Sequence, residues 1–123
     1  MAYNSQLEKF DVVGRSGKRC AVEFRKAGFL TTGDQPELYF FRVAFEEQRD
    51  PEGSSQDVVV GISGSSLRRV QQRRGYLSRE AKIDLAALLL KKRIESGTAL
   101  DPQNLLLRDE ELAQLAGELG IPV

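Results

Sequence analysis

Four arginines fall within seven positions, at Arg68, Arg69, Arg73 and Arg74, and Arg79 and Lys82 follow closely. Guanidinium groups at this density do one kind of chemistry: their planar forks of donors grip carboxylate or phosphate oxygens in paired hydrogen bonds. On a short helix Arg69 and Arg73 stand four residues apart and repel by roughly a few tenths of a kcal/mol. Counter-charges must therefore come from elsewhere. Within the chain the candidates are Glu46, Glu47, Asp50 and Glu52, or Asp109, Glu110 and Glu111. Outside it they are nucleic-acid phosphates or an acidic protein. Lys91, Lys92 and Arg93 say less, because basic residues at a helix C-terminus favour the helix dipole in any case.

The rest of the inventory excludes more chemistry than it offers. The chain has no histidine and no tryptophan. That removes a Ser–His or Cys–His nucleophile pair, an imidazole metal site and a histidine general base. Glu46, Glu47, Asp50 and Glu52 lack the spacing and glycine of a calcium loop. Cys20 is the only cysteine; it reads as a small buried residue of a strand, since free cysteine is among the most buried types. Val58 to Ser66 runs from a strand through glycines towards a helix, but without a Walker lysine or a parallel βαβ setting it reads as a turn and a cap. No enzyme is expected, no cofactor is implied, and no metal site can be assembled.

Formal net charge is zero, with 18 bases and 18 acids. It is unevenly spread. Residues 64–97 hold nine bases against three acids, residues 1–63 eight against ten, and residues 98–123 one against five. Such segregation lets a protein pair its charges internally, pair them between copies of itself, or offer the basic part to an anionic partner.

At 123 residues, with 41% hydrophobic and 29% charged, the composition is that of a folded globular chain rather than a disordered one. The length predicts a single α+β domain over 1–123, with its sheet in 7–63 and its helical part in 65–120. A lone cysteine can form no internal disulfide, which points to a reducing, cytoplasmic setting. Met1 to Phe10 is polar and carries no secretory signal pattern. The longest purely apolar run, Leu85 to Leu90, is far short of the roughly 20 residues that span a membrane.

The elements that must position these residues come in two blocks. A weak strand over 7–13 ends at Gly14, and Gly14 to Gly17 turns into a second strand over 18–26. There Cys20, Val22 and Phe24 alternate with Arg19, Glu23 and Arg25, the period of a half-buried strand in a hairpin. Residues 28–36 read as a loop, 37–46 as the strongest strand, 50–55 as a loop and 57–62 as a Val-rich fourth strand. Short connections favour an antiparallel meander. Gly64 to Ser66 then supplies an N-cap for a helix over 67–74, which Gly75 stops. Ser78 caps a helix over 79–96, and Gly97 stands where a C′ glycine belongs. Asp101-Pro102 opens a short turn through 105–107, and Asp109, Glu110 and Glu111 open a last helix with Leu112, Leu115, Ala116 and Leu119 as its stripe. The fold class is α+β: a four-stranded antiparallel meander followed by two or three helices gathered on one sheet face.

Two elements are apolar on more than one side. On the third strand Tyr39, Phe41, Val43 and Phe45 make one face, while Leu38, Phe40 and Ala44, broken by Arg42, make the other. The run Tyr39 to Phe45 resembles the aromatic strand of RNA-recognition motifs, but the basic-Gly lead-in and the β-α-β order are missing. The helix over 79–96 is apolar around most of its circumference, so either the last helix or a second subunit must cover its far side. These features predict a small non-catalytic intracellular interaction domain that acts as a homo-oligomer, a dimer, through Leu38, Phe40, Arg42 and Ala44. In that dimer Arg42 is expected to meet a carboxylate of the neighbouring copy. The alternative is a nucleic-acid-binding module using the basic segment 68–93, with Arg68, Arg69, Arg73, Arg74, Arg79 and Lys82 as its anion or partner contacts. A meander of four strands followed by a helix is similar to the Whirly and PUR-type single-strand-binding folds, an analogy that concerns architecture and does not fix function.

Overall fold

Every second residue of the central strands points into one layer of apolar side chains, and three helices lie over that layer. The computed structural model describes residues 6–15, 17–29, 36–45, 55–75, 77–101 and 103–120. In chain order the elements are β1 (Lys9–Val13), β2 (Arg19–Phe29), β3 (Glu37–Phe45), β4 (Ser55–Ile62), α1 (Gly64–Arg74), α2 (Arg79–Ser96), β5 (Leu106–Leu107) and α3 (Asp109–Glu118). The sheet order follows the chain, β1-β2-β3-β4-β5. β1 to β4 form the expected antiparallel meander, and β5 joins β4 in parallel.

The inner sheet face is built by Val12, Cys20, Val22, Tyr39, Phe41, Val43, Val58, Val60 and Ile62, all buried. Phe24 closes this layer, its ring meeting Phe41 edge-on at 5.6 Å between centroids. Against it pack Ile83, Leu85, Ala86, Ala87, Leu89 and Leu90 of α2 and Leu112, Leu115 and Ala116 of α3. α3 lies on both α1 and α2. The broadly apolar α2 is thus satisfied inside the chain, by the sheet on one side and α3 on the other.

Several details differ from the sequence reading; β1, for one, begins at Lys9 rather than at residue 7. β2 runs on to Phe29, because its register shifts between Phe24 and Lys26. An uninterrupted period of two would carry Lys26 into the core after Cys20, Val22 and Phe24; the bulge absorbs Arg25 as the extra residue, turns Lys26 outward opposite Phe40 and brings Ala27 inward opposite Tyr39. β4 begins at Ser55, two residues before the expected start. α1 begins at Gly64 with Ser63 as its cap, Oγ accepting the N–H of Ser66 at 3.4 Å. Residues 105–107 are not merely a turn: Gly61 donates to the Leu105 carbonyl and Ser63 to that of Leu107, both at 2.8 Å, which adds a parallel strand at the sheet edge. The crossover that parallel pairing requires is supplied by α1 and α2.

The long helix is bounded as expected. Ser78 Oγ accepts the Ala81 N–H at 3.2 Å, and Gly97 stands at φ +74°. Gly97 donates to Ile94 O, and Thr98 reaches back to Arg93 O at 3.0 Å, a Schellman closure that a Cβ-free residue in the left-handed region makes accessible. Among the described residues no helix is long and apolar enough to cross a membrane.

Candidate interaction surfaces

Of the six basic residues expected as anion contacts, those that the structure describes do not form one surface. Arg69 Nη2 donates to Asp109 Oδ1 at 2.6 Å, joining α1 to the start of α3. The same oxygen accepts Ser66 Oγ at 2.9 Å. Arg73, one turn on, faces the same region. Lys82 leaves that side altogether: its Nζ lies 3.3 Å from Glu37 on β3, both side chains largely buried, and Tyr39 Oη donates to Glu37 at 2.9 Å. Arg79 lies with its guanidinium carbon 5.8 Å from the centroid of the Phe24 ring, a cation–π contact. Arg68 is exposed on α1, and the Arg74 side chain lies outside the described residues, as do Glu46, Glu47, Asp50 and Glu52.

Among the described residues, Glu37 serves Lys82, and the acidic C-terminal segment supplies counter-charge to basic residues on two helices. Besides Arg69–Asp109, Arg93 grips both oxygens of Glu111 at 2.8 and 3.0 Å while its Nε donates to Asn104 O at 2.9 Å. Lys92 meets Glu118 at 3.1 Å. Arg93, which the sequence offered only as a helix-dipole residue, is a tie between α2, the segment before β5, and α3.

These contacts border a cleft of about 1060 Å³ between α1, α3 and residues 103–108. Four guanidinium groups line it: Arg69, Arg73, Arg93 and Arg108. Arg108 immediately precedes Asp109, which adopts φ +49°, the only described non-glycine residue in the left-handed region. Aspartate tolerates that conformation better than most residues, and here Ser66 and Arg69 together hold its carboxylate.

The opposite surface is the outward face of the sheet. The β3 register sets Leu38 between Gly28 and Gly61, Phe40 between Lys26 and Val59, Arg42 between Glu23 and Asp57, and Ala44 between Ala21 and Ser55. Leu38, Phe40, Ala44 and Val59 are half-buried, although the helices lie on the other face. The two glycines beside Leu38 are closely overhung. A Cβ at Gly28 would come within 3.3 Å of Phe40 Cε2, and one at Gly61 within 3.2 Å of Leu106 Cδ1. The result is a low apolar surface at one end of the face, with Lys26 Nζ 5.1 Å from the Phe40 ring centroid. At the other end the charges alternate in sign. Arg42 meets a carboxylate of its own chain, Asp57 on β4 at 3.4 Å, and both side chains are well exposed. The expectation that Arg42 depends on a neighbouring copy for its partner is corrected accordingly: cross-strand pairing on the same face supplies it.

Cys20 lies on the inner face of β2 between Val12 and Phe45, 2% exposed. Burial pushes its thiol above the usual range, with Lys18 pulling partly the other way. Cys20 is thus a residue of the core layer.

Fold and surfaces together define an α+β protein: a five-stranded mixed sheet with three helices on one face, an arginine-lined cleft at the helical side and, on the other, an apolar strip that no described helix covers. No family model matches the chain, and no curated protein or solved structure matches it significantly.

Proposed function

We propose that the chain is a small non-catalytic intracellular interaction domain that works as a homodimer, its two copies meeting through the outward face of the sheet around Leu38, Phe40, Arg42 and Ala44. One observation carries this reading: with all three helices on the inner face, the outward strip of Leu38, Phe40, Ala44 and Val59 keeps apolar surface that no described helix covers. The surface around it suits a second copy of itself. Lys9, Lys26 and Arg42 alternate there with Asp11, Glu23 and Asp57, and a patch carrying both signs can face its own two-fold image without net repulsion. The competing reading, a nucleic-acid module built on the 68–93 segment, asks for those basic residues on one surface. Arg69, Lys82 and Arg79 lie apart instead, at the cleft, the Glu37 pair and the Phe24 ring.

Dilution of the isotope-labelled protein followed by NMR tests the reading. Shifts that change with concentration at Leu38, Phe40, Ala44 and Val59, and not on α1 or α3, are the expected result. Spectra that do not depend on concentration, or changes confined to the helical side, contradict it.

A further inference from the structure

We propose that the cleft between α1 and α3 is a binding site for a phosphate-bearing anion, with Arg73 and Arg108 as its primary contacts. Four arginines from three parts of the chain converge on one cleft, and two of them are already engaged. Arg69 is held by Asp109 and Arg93 by Glu111. Arg73 and Arg108 have no ion pair among the described residues, and both line the same space. The acids facing them are Asp109, Glu110 and Glu111. With two of these bound to Arg69 and Arg93, Glu110 is the one carboxylate left among the described lining residues against two guanidinium groups. The last-turn position of Arg73 suits the helix dipole, which accounts for a base at that point of α1 but not for its convergence with Arg108.

The neighbouring bridges hold the site in place before any ligand arrives. Asp109 Oδ1 is fixed by Ser66 and Arg69 together, and this clamp sits beside Arg108 in sequence, at the one described non-glycine residue with left-handed backbone. Backbone held in a sparsely populated region by surrounding contacts is a feature that collects at ligand sites. Two guanidinium forks approaching from different elements match an acceptor with several oxygens pointing in different directions, which a phosphate group has and a single carboxylate lacks. At about 1060 Å³ the cleft exceeds what a bare ion needs and reaches the upper range of small-molecule sites. Leu106 and Val70 add an apolar wall on which an organic portion can rest. The phosphate can belong to a small phosphorylated molecule or to a nucleic-acid backbone; the chemistry of the contact is the same.

Calorimetric titration of the intact chain with pyrophosphate, with adenosine diphosphate and with a single-stranded oligonucleotide tests the site, using Arg73→Gln, Arg108→Gln and Glu110→Gln. Saturable binding of at least one probe is expected, weakened about tenfold or more by either arginine change, the loss expected for a charge-assisted contact. Glu110→Gln is expected to tighten it, an effect no loss of structure imitates. Affinity for the two small probes assigns the phosphate to a small molecule; affinity for the oligonucleotide alone assigns it to a nucleic-acid backbone. Absence of saturable binding of all three at millimolar concentration overturns the proposal. So does binding that the three substitutions leave unchanged while each variant still melts cooperatively.

Discussion

Asp84 lies in the middle of α2, wholly buried, where a charge is costly unless it is closely hydrogen-bonded. Its Oδ2 accepts the N–H of Gln6 at 2.8 Å and its Oδ1 that of Leu7 at 3.0 Å. A helix side chain thus fastens the chain ahead of β1, more than seventy residues away in sequence. Asp84→Ala would strip both amides of their acceptor and is expected to cost about 2–3 kcal/mol, with faster hydrogen exchange at Gln6 and Leu7. Asp84→Asn keeps one acceptor oxygen and should cost less. Urea denaturation of the two variants checks this, and a loss under about 0.5 kcal/mol for Asp84→Ala, the range of ordinary surface substitutions, would show that the contact does not hold that segment. At this scale the sequence is least legible. Asp84 reads there only as one of three acids in a basic stretch, although a charge inside a helix that is apolar nearly all round already asks for a partner. For Arg69, by contrast, the sequence names the right acidic segment as one of two internal candidates, and the structure selects it; Arg108 and Arg93 as cleft residues are not legible, because nothing in their local pattern tells which way they face.

β2 shows why elements are readable in kind but not in every boundary. Its alternation is clear from Cys20 to Phe24 and fails at Lys26, where strict period would bury an ammonium group; the bulge at Arg25 restores agreement between the pattern and the pleat. Deleting Arg25 should leave a regular strand with Phe24 and Ala27 still inward, and it removes only an exposed contact with Glu23 at 3.5 Å. The expected change in stability is about 1 kcal/mol or less. Deleting Ala21, in the regular part of the strand, reverses every inward residue before it and should cost far more. Thermal melts of the two deletions compare them, and equal losses would refute the assignment of Arg25 as the extra residue. The caps at Ser78 and Gly97 were legible because one residue type at one place carries the signal. β5 was not, since two residues have no period, and its pairing depends on the crossover through α1 and α2 bringing Leu106 back to β4.

For the molecule as a whole, the uneven charge of the sequence resolves into internal architecture. The acidic C-terminal segment folds back on the basic helices through Arg69–Asp109, Arg93–Glu111 and Lys92–Glu118. Exposed pairs of this sort contribute little each, but here they fasten α3 across α1 and α2, where its Leu112 and Leu115 complete the core. The layered α+β arrangement was legible because the strand and helix periods occupy separate halves of the chain. The side on which a partner would sit was legible only in part. The apolar circumference of α2 called for either the last helix or a second subunit, and α3 fills it, whereas the double-faced β3 keeps a strip that no described helix covers. The central claim rests on that strip, and sedimentation equilibrium of the unmodified protein beside Phe40→Glu at micromolar concentration tests it most directly. Dimers of the unmodified chain, converted to folded monomers by a carboxylate placed at the centre of the outward face, are the predicted result. A monomer in both samples, or a dimer that Phe40→Glu leaves intact, would contradict it.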